Sequence, residues 1–145
     1  MSYDLTRPQQ TLAVVGAGTM GRGIAQVAAM GNPDLGGGMN VLILDEKPGA
    51  SAEAKEAIGR VLSQLAEKGR ITADVARDTM ARITPVEALD SIARADVIVE
   101  AIVERLDVKQ MLFERLDQLC PPTTILASNT SSIPITAIAA RASRP

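Results

Sequence analysis

Apolar positions along the chain fall into two patterns that alternate. The first is a short unbroken run: Thr11-Leu-Ala-Val-Val-Gly16, Asn40-Val-Leu-Ile-Leu-Asp45, Asp96-Val-Ile-Val-Glu-Ala-Ile102 and Thr124-Ile-Leu-Ala-Ser128. Runs of Val, Ile and Leu without polar alternation suit parallel strands covered on both faces. Arg82-Ile-Thr-Pro85 is a shorter candidate strand, weakened by Pro85 because proline cannot donate to a ladder. The second pattern recurs at three and four residues. Between Ala50 and Lys68, Ala54, Ala57, Ile58, Val61, Leu62 and Leu65 line one face, and Glu53, Lys55, Glu56, Arg60, Gln64 and Lys68 line the other. Gly69 suits the left-handed turn after that helix, and Thr72 suits the cap of a second one running to Arg82. Thr19 to Met30 reads as a helix rich in Ala, Met and Gln. Val108, Met111, Leu112, Leu116 and Leu119 mark another, stopped by Pro121-Pro122. Pro134 opens a last helix leading into Ala137 to Arg141. Met20 and Met111 read as core residues, and Cys120 as a small packing residue at a helix end.

The element order is therefore β-α-β-α-α-β-β-α-β-α. It predicts an α/β fold: an open, doubly wound, mostly parallel sheet of the Rossmann type with right-handed crossovers and a helical arm after the second strand. Gly31 to Gly38, with the sequence GNPDLGGG, reads as a flexible loop before the second strand. No internal repeat or low-complexity tract interrupts the alternation.

Composition narrows the chemistry. The 145 residues suit one domain able to bury a core. None is histidine, which excludes a His-based triad, a His–zinc site or a His general base within this stretch. The single Cys120 excludes an internal disulfide framework and fits a reducing compartment. Fifteen basic and 17 acidic residues are spread along the chain, and only Tyr3 and Phe113 are aromatic. That composition argues against a nucleic-acid surface. Met1 to Gln10 is polar and lacks the apolar stretch of a signal peptide, and no apolar run approaches the roughly 18 residues that span a bilayer. A soluble cytoplasmic protein with no membrane partner and no metal is the expectation.

The most informative local motif is Gly16-Ala-Gly18-Thr-Met-Gly21, placed between the first strand and the first helix. In such a loop the first glycine permits the tight turn, and the second lets backbone approach a pyrophosphate. The third lets helix and strand pack closely. The helix N-terminus then presents unpaired N–H groups to the phosphates. Asp45 ends the second strand, where a carboxylate can accept hydrogen bonds from an adenosine ribose and repel a 2′-phosphate. NAD is thus favoured over NADP, with Lys47 close enough to soften the argument. Asp45 lies 24 residues after Gly21, and the glycine-rich loop accounts for the excess over the usual spacing of about 20. A ligand-free turn and a solvated strand-end acid are the plainer readings of the same residues.

Two segments in the second half go further. Val99-Glu-Ala-Ile-Val-Glu104 and Ser128-Asn-Thr-Ser-Ser132, 24 residues apart, resemble the NAD-dependent L-3-hydroxyacyl-CoA dehydrogenases, and the resemblance runs from Gly16 to about Pro145. It implies that Gly16, Ala17, Gly18, Thr19, Met20 and Gly21 form the pyrophosphate loop and that Asp45 holds the adenosine ribose. Glu104 and Lys109 are implied to line the cofactor site beside the nicotinamide. Ser131 is implied to touch both nicotinamide and acyl substrate, with Asn129 in the same loop. Lys68 falls near a lysine that such enzymes set against a coenzyme A phosphate. On spacing alone, Glu104 also suits a solvated helix start with Lys109 as its surface partner, and Ser131 and Ser132 suit a helix cap.

The resemblance also implies a reaction: oxidation of the 3-hydroxyl of an acyl-CoA, with a histidine as proton acceptor. Relatives carry that histidine in a segment resembling G-x-H-F-F-N-P, a few residues beyond the position of Pro145. Residues 1–145 therefore read as an NAD-binding domain, incomplete at its C-terminal end, without the helical domain through which the family forms homodimers. The chain alone is expected to lack dehydrogenase activity. A non-catalytic NAD-binding module, or a relative of L-gulonate dehydrogenase or lambda-crystallin, is the competing reading.

Overall fold

The computed structural model describes residues 9–32, 34 and 37–144. The expected alternation is present. Strands β1 (Thr11–Val15), β2 (Asn40–Leu44), β3 (Ile83–Val86), β4 (Val97–Glu100) and β5 (Ile125–Ser128) form one sheet. They are joined by helices α1 (Thr19–Met30), α2 (Ala50–Glu67), α3 (Ala73–Ala81), α4 (Leu106–Leu119) and the single turn α5 (Ile135–Ile138). All neighbouring strands pair in parallel, in the order β3-β2-β1-β4-β5. The chain runs outward from the central β1 to β2 and β3, then returns to lay β4 on the other side of β1. That reversal opens a crevice between the C-terminal ends of β1 and β4, where open α/β sheets bind ligands.

Both faces of the sheet are covered, which explains the unbroken apolar runs. Leu12, Val14, Val41, Ile43 and Ile83 meet Ala25 and Ala29 of α1 and Ala54, Ile58 and Leu62 of α2. On the opposite face Ala13, Val15, Leu44 and Ile98 meet Leu116 and Cys120. Full burial of each such Leu or Ile is worth roughly 1.5–3 kcal/mol. Helix α1 buries only Gly21, Ala25 and Ala29, a small-residue stripe that brings its axis close to the sheet. Thr72 caps α3 as its position suggested, its Oγ1 accepting from the Val75 N–H at 3.1 Å. Gly69 takes its left-handed turn at φ 69°.

Several expectations change. The short candidate strand forms as β3; Pro85 lies inside it, opposite Ile43, and is tolerated because β3 is an edge strand, with a neighbour on one side only among the described residues. Strand β4 stops at Glu100 and leaves Ala101 and Ile102 in the following loop. A 3₁₀ turn at Leu89–Ile92 lies between β3 and β4. The buried stripe of α4 runs through Lys109, Phe113 and Leu116. Met111 lies about 200° around the helix from Lys109 and is exposed, as is Met20, so neither is the core residue expected. Cys120 is buried, as expected. Part of the Gly31–Gly38 loop (residues 33, 35 and 36) and residues 1–8 of the polar N-terminus lie outside the described residues. Asn32 and Gly37 pair across the described ends of that loop.

The end of α4 is closed by an interaction the sequence did not announce. The Arg144 guanidinium donates from Nε to Asp117 Oδ1 at 2.6 Å and to the carbonyls of Asp117, Cys120, Pro121 and Thr124 at 3.0–3.2 Å. These acceptors include carbonyls that a helix C-terminus leaves without intrahelical partners. The Ser143 hydroxyl and N–H also donate to Asp117, and these bonds, with Arg144, hold its carboxyl at about 2, below the usual 3.8. A carboxyl depressed in the folded state adds stability that is complete above its unfolded pKa and is lost as pH falls through the folded one. Urea unfolding at a series of pH values is therefore expected to show stability falling between pH 3.8 and about 2, with a shallower fall in Asp117→Asn.

Candidate cofactor site

The glycine loop leaves β1 as a turn imposed by packing. Gly16 adopts φ 112°, donates its N–H to the Leu44 carbonyl at 2.8 Å, and lies against the Ala101 carbonyl, which a side chain at this position would overlap. Gly21 lies against the Gly16 carbonyl in the same way. The fold itself therefore requires these two glycines. Gly18 differs: its φ of −73° and ψ of −170° suit any residue, and a methyl added there would meet nothing within 4 Å. Nothing among the described residues demands a glycine at this position. The space a Cβ would fill lies at the start of α1, whose first turn has neither a side-chain cap nor an acidic residue. Gly18, Thr19 and Met20 are exposed, whereas Gly16 and Gly21 are buried. This open cradle of backbone donors fits a pyrophosphate.

Asp45, just past β2, is tied into the loop. Its Oδ2 accepts from the Ala17 N–H at 2.8 Å and its Oδ1 from the Lys47 N–H at 2.9 Å. A carboxylate offers about four acceptor positions, so ribose hydroxyls can still be received.

Glu104, Lys109, Asn129 and Ser131 gather at the C-terminal ends of β4 and β5. They are organised by a residue that sequence reasoning passed over. Glu100 ends β4 with its side chain fully buried. Its Oε1 accepts from Lys109 Nζ at 2.7 Å and from the Ser128 hydroxyl, and its Oε2 accepts from the Ile102 N–H at 3.0 Å. Lys109 is buried as well, which rules out a simple surface partner, and reaches Glu104 Oε1 at 2.9 Å. Glu104 lies at the rim with its side chain 40% exposed and spans to the loop after β5. There it accepts from the Thr130 hydroxyl at 2.7 Å and the Ser131 N–H at 3.4 Å. The Ser128 hydroxyl accepts from the Thr130 N–H at 3.1 Å, and the Asn129 N–H donates to the Glu100 carbonyl at 2.9 Å. The hydrogen bonds from Lys109 and Thr130 hold the Glu104 carboxyl below its ordinary range. Burial works against the Lys109 ammonium, but its bonds to Glu100 and Glu104 outweigh that and raise it.

Asn129, Ser131 and Ser132 are exposed, and α5 has no side-chain cap, so the capping role does not apply. Lys68 stands apart. It is exposed at the C-terminus of α2, on the α2–α3 arm beside β3, at the opposite edge of the sheet from Ser131. Glu100, Ser128 and Thr130 were the missed residues. An acid interrupting an apolar strand, nine positions before a lysine on the next helix, was the available signal for the first. Among the described residues no group of His, Cys, Asp or Glu is arranged to hold a metal.

An open parallel sheet with a glycine loop at its switch point and a carboxylate after β2 defines the class of doubly wound dinucleotide-binding domains. Residues 11–145 match the family model for the NAD-binding domain of 3-hydroxyacyl-CoA dehydrogenase. The chain belongs to that family, whose cofactor is NAD. It is 44% identical over 136 residues to 3-hydroxyadipyl-CoA dehydrogenase of Escherichia coli, covering 94% of this chain and 27% of the relative. It is 42% identical over 134 residues to a probable 3-hydroxybutyryl-CoA dehydrogenase of Bacillus subtilis, covering 92% and 45%. A crystal structure of 3-hydroxybutyryl-CoA dehydrogenase from E. coli superposes with a TM-score of 0.88 at 43% identity, covering 96% of this chain and 28% of that one. The (S)-3-hydroxybutyryl-CoA dehydrogenase of Ralstonia eutropha gives 0.83 at 34%, covering 94% and 46%. The chain thus spans less than half the length of these relatives.

Two outcomes follow from this geometry. Gly18→Ala is expected to leave the melting temperature within about 2 °C of the parent, because surface substitutions that disturb nothing usually stay within about 0.5 kcal/mol. Gly16→Ala and Gly21→Ala are expected to lower it by many degrees or prevent folding, a contrast that differential scanning calorimetry resolves. Lys109→Ala leaves Glu100 buried without its cation and is expected to cost about 3–5 kcal/mol in denaturant unfolding. A loss below about 1 kcal/mol would contradict the buried pair.

Proposed function

We propose that this chain is the NAD-binding part of an enzyme that oxidises L-3-hydroxyacyl-CoA to 3-oxoacyl-CoA. The observation that carries the reading is Gly18, a glycine its own protein does not need, facing open space at an uncapped helix start. NAD, when bound, accepts the hydride from the substrate's 3-hydroxyl carbon. Gly16 to Gly21 receive its pyrophosphate on backbone N–H groups, and Asp45 receives the adenosine ribose and disfavours a 2′-phosphate. With the adenosine half over β2, the strand order supports a nicotinamide half lying toward β4 and β5. There Glu104, Lys109 and Ser131 line its site.

Ser131 offers an exposed hydroxyl to the substrate's oxygen, and Asn129 lies beside it in the same loop. Lys68 offers an exposed ammonium to a phosphate of coenzyme A. The histidine proton acceptor implied by the resemblance is outside these 145 residues, which contain none. The names of the relatives reported above support a 3-hydroxyacyl-CoA substrate and favour an enzyme over a non-catalytic NAD module or an L-gulonate dehydrogenase-like protein. No helix among the described residues is long and apolar enough to cross a membrane. The reading carries with it a cytoplasmic setting, supported by a lone buried thiol, and a homodimer, supported by the family resemblance.

Fluorescence titration is expected to show saturable NADH binding that is tighter than NADPH binding, and weakened by Gly18→Val. The protein carrying this domain is expected to reduce NAD with L-3-hydroxybutyryl-CoA. Absence of saturable NADH binding by a folded protein would sink the cofactor assignment.

A further inference from the structure

The cluster at the ends of β4 and β5 does not balance its charge. Glu100 and Glu104 share one ammonium, that of Lys109, at 2.7 and 2.9 Å. The neighbouring Arg105 does not make up the difference, because it is paired with Asp107 at 2.8 Å. The three groups therefore carry a net charge of −1. Its placement follows from burial. Glu100 is enclosed beneath Lys109 and compensates the ammonium from below, so the uncompensated charge lies on Glu104 at the rim. With Lys109 and Glu104 alone the rim would be a neutral pair.

The ligand half assigned to this rim changes charge in the reaction. An oxidised nicotinamide ring is a pyridinium cation, and the reduced ring, having gained a hydride, is neutral. Resting on the reading that NAD binds here, we propose that the Glu100–Lys109–Glu104 cluster selects for the oxidised ring. Its net negative charge binds NAD⁺ more tightly, relative to NADH, than the same contacts would without that charge. Glu104 acts directly, and Glu100 is a positioning and charge-setting residue that acts through Lys109. A unit charge several ångströms away, in a partly exposed site, corresponds to roughly a three- to tenfold change in binding.

The test compares dissociation constants for NAD⁺, NADH and ADP-ribose by calorimetry in the protein and in Glu104→Gln, which keeps the side chain's shape and its acceptor for Thr130. The variant is expected to bind NAD⁺ roughly three- to tenfold more weakly, with NADH and ADP-ribose within about twofold of the parent. The gap should narrow in high salt. Glu100→Gln should shift the NAD⁺-to-NADH ratio in the same direction although its side chain is buried away from the ligand. Equal weakening of NAD⁺ and NADH, or no change in either, would overturn the proposal. A shift in Glu104→Gln with none in folded Glu100→Gln would reduce the effect to a local contact and overturn the net-charge account. Failure of the parent protein to bind even ADP-ribose would instead remove the cofactor reading on which the proposal rests.

Discussion

The buried contact between Glu100 and Lys109 is the constraint on which the rest of this end of the molecule depends. Two charged groups taken out of water return little net stability unless each is held by further bonds. Here the bonds come from the surroundings: Ser128 and the Ile102 N–H on one carboxylate, Glu104 on the ammonium. The consequence is geometric. A helix is pinned to the strand before it, and the loops after β4 and β5 are set relative to both. Glu104 is held to the Thr130 hydroxyl and the Ser131 N–H across the gap by this arrangement.

The other end of the crevice is set by close packing of backbone. Gly16 and Gly21 are present because carbonyl groups occupy the space a side chain would need. The stripe of Gly21, Ala25 and Ala29 continues the same economy along α1. Small residues bring the helix start toward the strand ends, and the exposed Gly18 then leaves its backbone uncovered. One half of the crevice is thus built from what is missing in the side chains, and the other on an enclosed ion pair with a partly exposed carboxylate at its rim.

Much of this was legible in the sequence. Parallel strands buried on both faces write themselves as continuous Val, Ile and Leu, and every such run is a strand here. Gly16 and Gly21 answer a backbone requirement, so they too survive in the residues. The misses have a common physical origin in long-range context. Met20 and Met111 resembled core residues because hydrophobicity does not reveal which way a helix is turned. The burial of Lys109 was not legible because its partner, Glu100, lies on another element, and burial of a lysine follows only once that carboxylate is placed. The Arg144 clamp joins the end of the chain to carbonyls of α4 and the turn after it, a contact that no periodicity encodes.

The bond between Asp45 and the Ala17 N–H links two properties usually treated as separable. In the proposed reading, the residue that would discriminate between ribose and ribose phosphate is also a strut of the loop that would receive the pyrophosphate. A lineage drifting toward the phosphorylated cofactor could not exchange this acid for a small or basic residue without also loosening the loop. It would first need another acceptor for the Ala17 amide. On that reading, cofactor preference is coupled to the rigidity of the loop, and the two are constrained to change together.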